Sequence, residues 1–221
     1  MPTLLSVKGK VASSFLLAMT LSTVLSFHLL AFLTDLDHRL LLAINHAHAP
    51  SLDRLMVFAS DRYAWFPAYA VLILWLVDIF RRRAGQLLPL LIGAVALADS
   101  ITSKLFKPFF ARLRPCHAPG LLGKLHLPDG CGGQYGFLSS HAANSFALAV
   151  FLLLVLPVGP RFRALKTMAF AWAILLSYSR MYLAAHYPSD ILGGALIGVG
   201  LGWGAAWLFK RWSFPAIPWR A

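Results

Sequence analysis

Three short stretches of this chain gather side chains able to hold and attack a phosphate. The first runs from Lys107 through Arg112 and Arg114 to Pro115. The second is Ser139-Ser140-His141. The third runs from Ser179-Arg180 through His186 to Asp190. Arginine presents a planar fork of donors that matches phosphate oxygens, and lysine adds a compact point charge. Ser139, Ser140 and the amides that follow suit the opening of a helix, whose N-terminus favours an anion. Pro188 suits the first turn of another helix, which would aim a second N-terminus at the same place. A neutral imidazole attacks phosphorus when a carboxylate holds its other nitrogen. Asp190, four residues after His186, is close enough for that contact around a helix start. His141, protonated, can give a proton to the departing oxygen.

Each piece alone has an ordinary reading. Lys107, Arg112 and Arg114 can be cations snorkelling at a membrane surface, Ser139 a simple N-cap and His186 a turn residue. Their joint occurrence is harder to dismiss, because the rest of the chain is so poor in charge. Of 221 residues, 59% are hydrophobic and 13% charged, against about 45–50% and about 25% in a typical soluble domain. Mean hydropathy is +0.69. Disorder is excluded by that hydrophobicity, and two cysteines cannot make a disulfide scaffold of this length. The net charge of +12 would suit a nucleic-acid binder only if it formed a patch on a soluble fold. Here the basic residues punctuate apolar runs, so no nucleic-acid partner is expected.

Six runs approach the ~20 residues that cross a bilayer: Val11–Leu33, Tyr63–Phe80, Leu87–Leu105, Ala142–Val158, Thr167–Ala185 and Ile191–Phe209. The first is too long for a signal-peptide core and lacks a cleavage site after it, so it reads as a retained helix. Lys8/Lys10, Arg81–Arg83, Arg161/Arg163/Lys166 and Lys210/Arg211/Arg220 are nearly free of acids. The short-loop charge rule puts them, and both termini, in the cytoplasm. The three chemical stretches then share the opposite face. Residues 34–62 suit short helices lying in the interface (Leu40–Ile44, Leu55–Ala59). Residues 106–141 form one long polar loop of the kind that is usually functional. The expected architecture is all-α, a single domain over residues 1–221: an integral membrane bundle of six transmembrane helices with short interfacial helices.

Taken in order, Lys107-x6-Arg114-Pro115, Ser139-Ser140-His141 and Ser179-Arg180-x5-His186-x3-Asp190 resemble the motifs of the type 2 phosphatidic acid phosphatase family. The first and third are matched in full. The middle one is usually Pro-Ser-Gly-His, and this chain has Leu138 for the proline and Ser140 for the glycine. The resemblance covers roughly residues 35–209. It implies a membrane phosphohydrolase working through a phosphohistidine, with no metal and no other cofactor. By the same resemblance His186 is the nucleophile, Asp190 its orienting partner and His141 the general acid. Lys107, Arg114, Ser139, Ser140 and Arg180 bind the phosphate. The substrate is a lipid phosphate or diphosphate in a bacterial inner membrane, handled on the periplasmic side. Undecaprenyl diphosphate is the first expectation, because an outward-facing site suits recycling of that carrier. Phosphatidylglycerophosphate, phosphatidic acid and lipid A are the alternatives, as is phosphoryl transfer to another lipid. An anion transporter is the reading outside the class, although no inverted repeat of the transporter kind is visible.

Cys116 and Cys131 lie in the long outer loop, where an oxidising compartment favours a disulfide; with His117 and His126 their spacing fits no common zinc pattern. Asp99, an acid deep in a span, is expected to pair with Lys104 or a hydroxyl such as Ser100 or Ser103, with a place facing the substrate groove as the alternative. The glycines of the sixth span, Gly194-x3-Gly198 among them, suit close helix packing within the chain, with a dimer face as the alternative.

Overall fold

The computed structural model describes Val24 and residues 28–212, and within them the regular structure is helical apart from one isolated antiparallel bridge between Leu113 and Tyr135. The chain divides into two compact units, Met1–Leu40 and Leu41–Ala221, where its composition suggests one domain. All three chemical stretches lie in the second. Residues 28–46 are helical (α1). There follow α2 (Pro50–Ser60), α3 (Phe66–Phe80), α4 (Ala84–Ser100), α5 (Lys107–Phe110), α6 (Ser140–Val155), α7 (Pro160–Tyr182) and α8 (Pro188–Trp212). Helices therefore stand in the last five of the six apolar runs. The first, Val11–Leu33, lies for the most part outside the described residues.

Two helical runs are long and apolar enough to cross a membrane, Phe66–Phe110 and Pro188–Trp212. The first is not one rod. Arg81 takes φ 50 and opens a 3-10 turn, Arg81–Arg83, that separates α3 from α4. α6 is apolar but has 16 residues. α7 begins at Pro160 rather than near Thr167, so Arg161, Arg163 and Lys166 lie within its first two turns. Proline is at home at that first helical position. The expected pair of interfacial helices is also revised: Leu40–Ile44 belongs to α1, because no glycine or proline interrupts the chain before Pro50, whereas Leu55–Ala59 falls inside α2.

One apolar cluster joins the helices near the arginine turn. It contains Leu76 and Phe80 of α3, Leu87 and Leu91 of α4, Phe151 and Leu152 of α6, Ala173 of α7, and Ala206 and Phe209 of α8. The opposite ends of α4, α6, α7 and α8 carry the chemical stretches. What brings those ends together is the approach of α8 to α6. Gly194, Gly198 and Gly202 stand one turn apart, and a Cβ on any of them would run into the carbonyl oxygen of Ser139, Ala143 or Ala147 respectively. Ala143 and Ala147, fully buried, answer them with the smallest side chains. This stripe is spent on packing within the chain.

That contact predicts a pattern of tolerance along α8. Gly198→Ala forces overpacking, which typically costs ~1–3 kcal/mol, and should lower the melting temperature in detergent. Gly200→Ala meets nothing within 4 Å and gains helix propensity, so its melting temperature should hold or rise. Equal effects at the two positions would contradict the packing described.

Candidate active site

Asp190 lies in the first turn of α8 with its side chain fully buried, and four contacts converge on it. Its Oδ1 accepts a hydrogen bond from Arg112 Nη1 at 2.7 Å. Its Oδ2 accepts from the Tyr187 amide at 2.9 Å. Its backbone carbonyl accepts from the Ser139 amide at 3.1 Å. Its Oδ2 also faces His186 Nδ1 at 3.6 Å, long for a hydrogen bond. One residue thus joins all three chemical stretches. Arg112 also donates to Ser189 Oγ at 2.6 Å and lies 4.2 Å above the Tyr187 ring. Arg112 is outside the matched motif, and the sequence marked it only as one more cation near the site; that it is the partner of Asp190 is set by the fold.

His186 is held by a turn between α7 and α8. The amides of Ala185 and His186 both bond the Arg180 carbonyl, and Ala184 takes φ 50 to close the turn. His186 is 1% exposed, and its Nδ1 is buried without a hydrogen-bond partner. Burial first, and then the cations Arg180, Arg114 and Lys107, push its pKa well below the ordinary value of 6.5. The imidazole is therefore neutral, the form that can attack. Both histidines, Lys107, Arg114 and Arg180 lie within electrostatic reach of one another.

Ser139 is the N-cap of α6, its hydroxyl accepting from the Ala142 amide, and His141 stands in the first turn. Ser140, expected to bind phosphate, spends its hydroxyl otherwise: Thr102, Ser103 and Lys107 all lie in hydrogen-bond range of its Oγ. Arg180 is nearly buried and hydrogen-bonded to Ser60, and its Nε has no partner. With Arg114 it borders a cavity of about 110 Å³ whose other walls include Asp129, Gly130 and Gly132. Ser179 bonds the Leu176 carbonyl of its own helix.

The long loop is ordered by the disulfide that the sequence suggests and by contacts with little sequence signal. Cys116 and Cys131 are disulfide-bonded, their Cα atoms 5.9 Å apart. The bridge between Leu113 and Tyr135 runs beside Arg114, whose Nε donates to the Tyr135 carbonyl. Asn45 donates to the carbonyls of His126 and Tyr182. Asp53 accepts from Tyr182 Oη at 2.6 Å and contacts His126 Nε2 at 2.9 Å. Among the described residues, the grouping able to share a metal ion is Cys116, His117 and Cys131, and its sulfurs are bonded to each other. Asp99 accepts a hydrogen bond from Asn144 Nδ2 of the facing helix α6 at 3.3 Å, in place of the expected pairing with Lys104 or a neighbouring serine.

The family model for the PAP2 superfamily matches residues 87–214, which include every one of the chemical residues above. A lipid A 4'-phosphatase of Bacteroides thetaiotaomicron is 36% identical over 178 residues, 79% of this chain and 77% of that protein. An undecaprenyl-diphosphatase of Sulfolobus acidocaldarius is 30% identical over 158 residues, 70% of this chain and 69% of that one. The crystal structure of Aquifex aeolicus LpxE superposes with a TM-score of 0.57 at 28% identity, covering 77% of this chain and 94% of that one.

The geometry makes Arg112 the cation that holds Asp190. Removing one partner of a buried ion pair typically costs ~3–5 kcal/mol, and Arg112 is partly exposed, which puts the loss at the low end. Arg112→Ala should lower the melting temperature by several degrees and turnover by more than tenfold, and Arg112→Lys should recover part of both. Wild-type turnover in Arg112→Ala would remove Asp190's cation from the account.

Proposed function

This chain belongs to the PAP2 superfamily and is a membrane lipid phosphatase; from that premise we propose that it removes a phosphate monoester from a lipid A-type glycolipid by way of a phosphohistidine at His186. The observation that carries the substrate choice is the 36% identity, over 77% of its length, to a lipid A 4'-phosphatase. The side of the membrane, which favours undecaprenyl diphosphate on sequence grounds, applies equally to any lipid phosphate presented there. The 30% identical undecaprenyl-diphosphatase keeps that substrate as the second reading.

In the proposed reaction Lys107, Arg114, Arg180 and the backbone amides at the start of α6 hold the phosphate. Donors placed where charge develops are usually the largest catalytic contribution. His186 presents Nε2 to phosphorus while its Nδ1–H closes onto Asp190. Such contacts are often long in a free enzyme and tighten with substrate. Burial and the neighbouring cations push the His141 pKa down to about 3. His141 therefore takes up its proton with the incoming phosphate, whose negative charge offsets those cations. The new N–P bond forms as the P–O bond to the lipid breaks, and His141 gives that proton to the departing oxygen. Water then attacks the phosphohistidine, its proton passing to His141, and inorganic phosphate leaves. The donor set is cationic, and its one carboxylate is already bonded to Arg112, so no metal is assigned.

We place the site on the periplasmic face of a bacterial inner membrane, with six spans and both termini in the cytoplasm. Two observations support this: the Arg81–Arg83, Arg161–Lys166 and Lys210–Arg211 clusters gather at the helix ends opposite the site, and the site loop carries a disulfide.

Purified protein in chelator should release phosphate from a lipid A-type substrate faster than from undecaprenyl diphosphate, phosphatidylglycerophosphate or phosphatidic acid, and His186→Ala should release none. Faster release from undecaprenyl diphosphate would move the assignment to the second reading. Activity that requires added magnesium would overturn the mechanism.

A further inference from the structure

Ser140, which stands where the family motif usually has glycine, does something a glycine cannot. Its hydroxyl oxygen is 2.9 Å from Thr102 Oγ1, 2.9 Å from Ser103 Oγ and 3.2 Å from Lys107 Nζ. A hydroxyl has one proton and two lone pairs, so three partners fill it. An ammonium has no lone pair, so Lys107 is the donor in any arrangement of the hydroxyl protons. Nothing is left on this oxygen for a phosphate.

All three partners come from one short stretch. Residues Ile101–Phe106 form a π-helical turn that leads directly into Lys107 and α5. Such turns often mark functional sites. Pro108 has no amide to offer the Lys104 carbonyl, which loosens the regular helical ladder at this point. The turn places Thr102, Ser103 and Lys107 against the first residue of α6, and Thr102 and Ser140 are both buried there. Lysine is among the side chains that lose most rotamer freedom on being ordered.

We propose that Ser140 is a positioning residue for Lys107: its hydroxyl fixes the ammonium at the start of α6, beside His141, before substrate arrives. Lys107 keeps two N–H donors for the phosphate, and its ordering is completed when the protein folds instead of when the lipid binds. This inference rests on the phosphatase reading, in which Lys107 holds the phosphate.

A double-mutant cycle tests it, with kcat/KM on a lipid phosphate and on an aryl phosphate measured per folded enzyme. Folded enzyme is counted as the monodisperse fraction in detergent. Ser140→Ala should lower kcat/KM about tenfold in the parent and weaken vanadate inhibition in step. In a Lys107→Ala background the same change should alter kcat/KM by less than twofold, because no ammonium remains to be placed. Thr102→Val, which removes one support of Ser140 from outside the loop, should show the same dependence on Lys107 with a smaller loss. Equal losses with and without Lys107, or no loss in the parent, would overturn the positioning role. Lys107→Ala that leaves activity unchanged would overturn Lys107's hold on the phosphate and the positioning role with it, whereas a parent enzyme that releases no phosphate from either substrate would strike at the phosphatase reading, so the two failures are distinguishable.

Discussion

A single buried carboxylate organises the candidate active site of this molecule. Asp190 has no exposed surface, and leaving a charge there without partners would be prohibitive. Its partners come from three places: Arg112 from the stretch after α4, the Tyr187 amide from the turn after α7, and the Ser139 amide, bonded to its carbonyl, from the start of α6. Satisfying one residue therefore fixes three segments that are far apart in sequence. His186 is positioned as a consequence, with Nδ1 toward the carboxylate and its imidazole kept neutral by burial and by the surrounding cations.

That arrangement depends on how closely two helices approach. Asp190 can reach Ser139 only because the next turns of α8, at Gly194, Gly198 and Gly202, present bare backbone to α6. The same stripe sets the distance between the two histidines' elements. Packing at the far end is ordinary apolar burial among Phe80, Phe151, Phe209 and their neighbours. The molecule thus has an adaptable hydrophobic end and a closely specified polar one.

The sequence made the chemistry more legible than the framework. Lys107, Arg114, Ser139, His141, Arg180, His186 and Asp190 stand out in the sequence because they are polar groups in an apolar chain, in the order of a known set of motifs. Length alone picks out six apolar runs; helices stand in five of them, and the first lies for the most part outside the described residues. Arg112 as the partner of Asp190, Asn144 as the partner of Asp99, and the Asp53–His126–Tyr182 contacts were not, since each joins residues distant in the chain and none has a periodic signature. Helix α7 starts at Pro160, seven residues before its apolar run at Thr167, because a helix tolerates Arg161, Arg163 and Lys166 in its first turns, while hydropathy stops at them. The π turn at Ile101–Phe106 left only the hint of Pro108.

The central claim is that phosphorus passes through His186. The direct measurement is to mix enzyme with a lipid substrate carrying labelled phosphate, quench within a turnover in base, and map the label. A base-stable, acid-labile phosphate is expected on the peptide containing His186, absent from His186→Ala. Label on another residue, or full turnover with no labelled enzyme at any quench time, would contradict it.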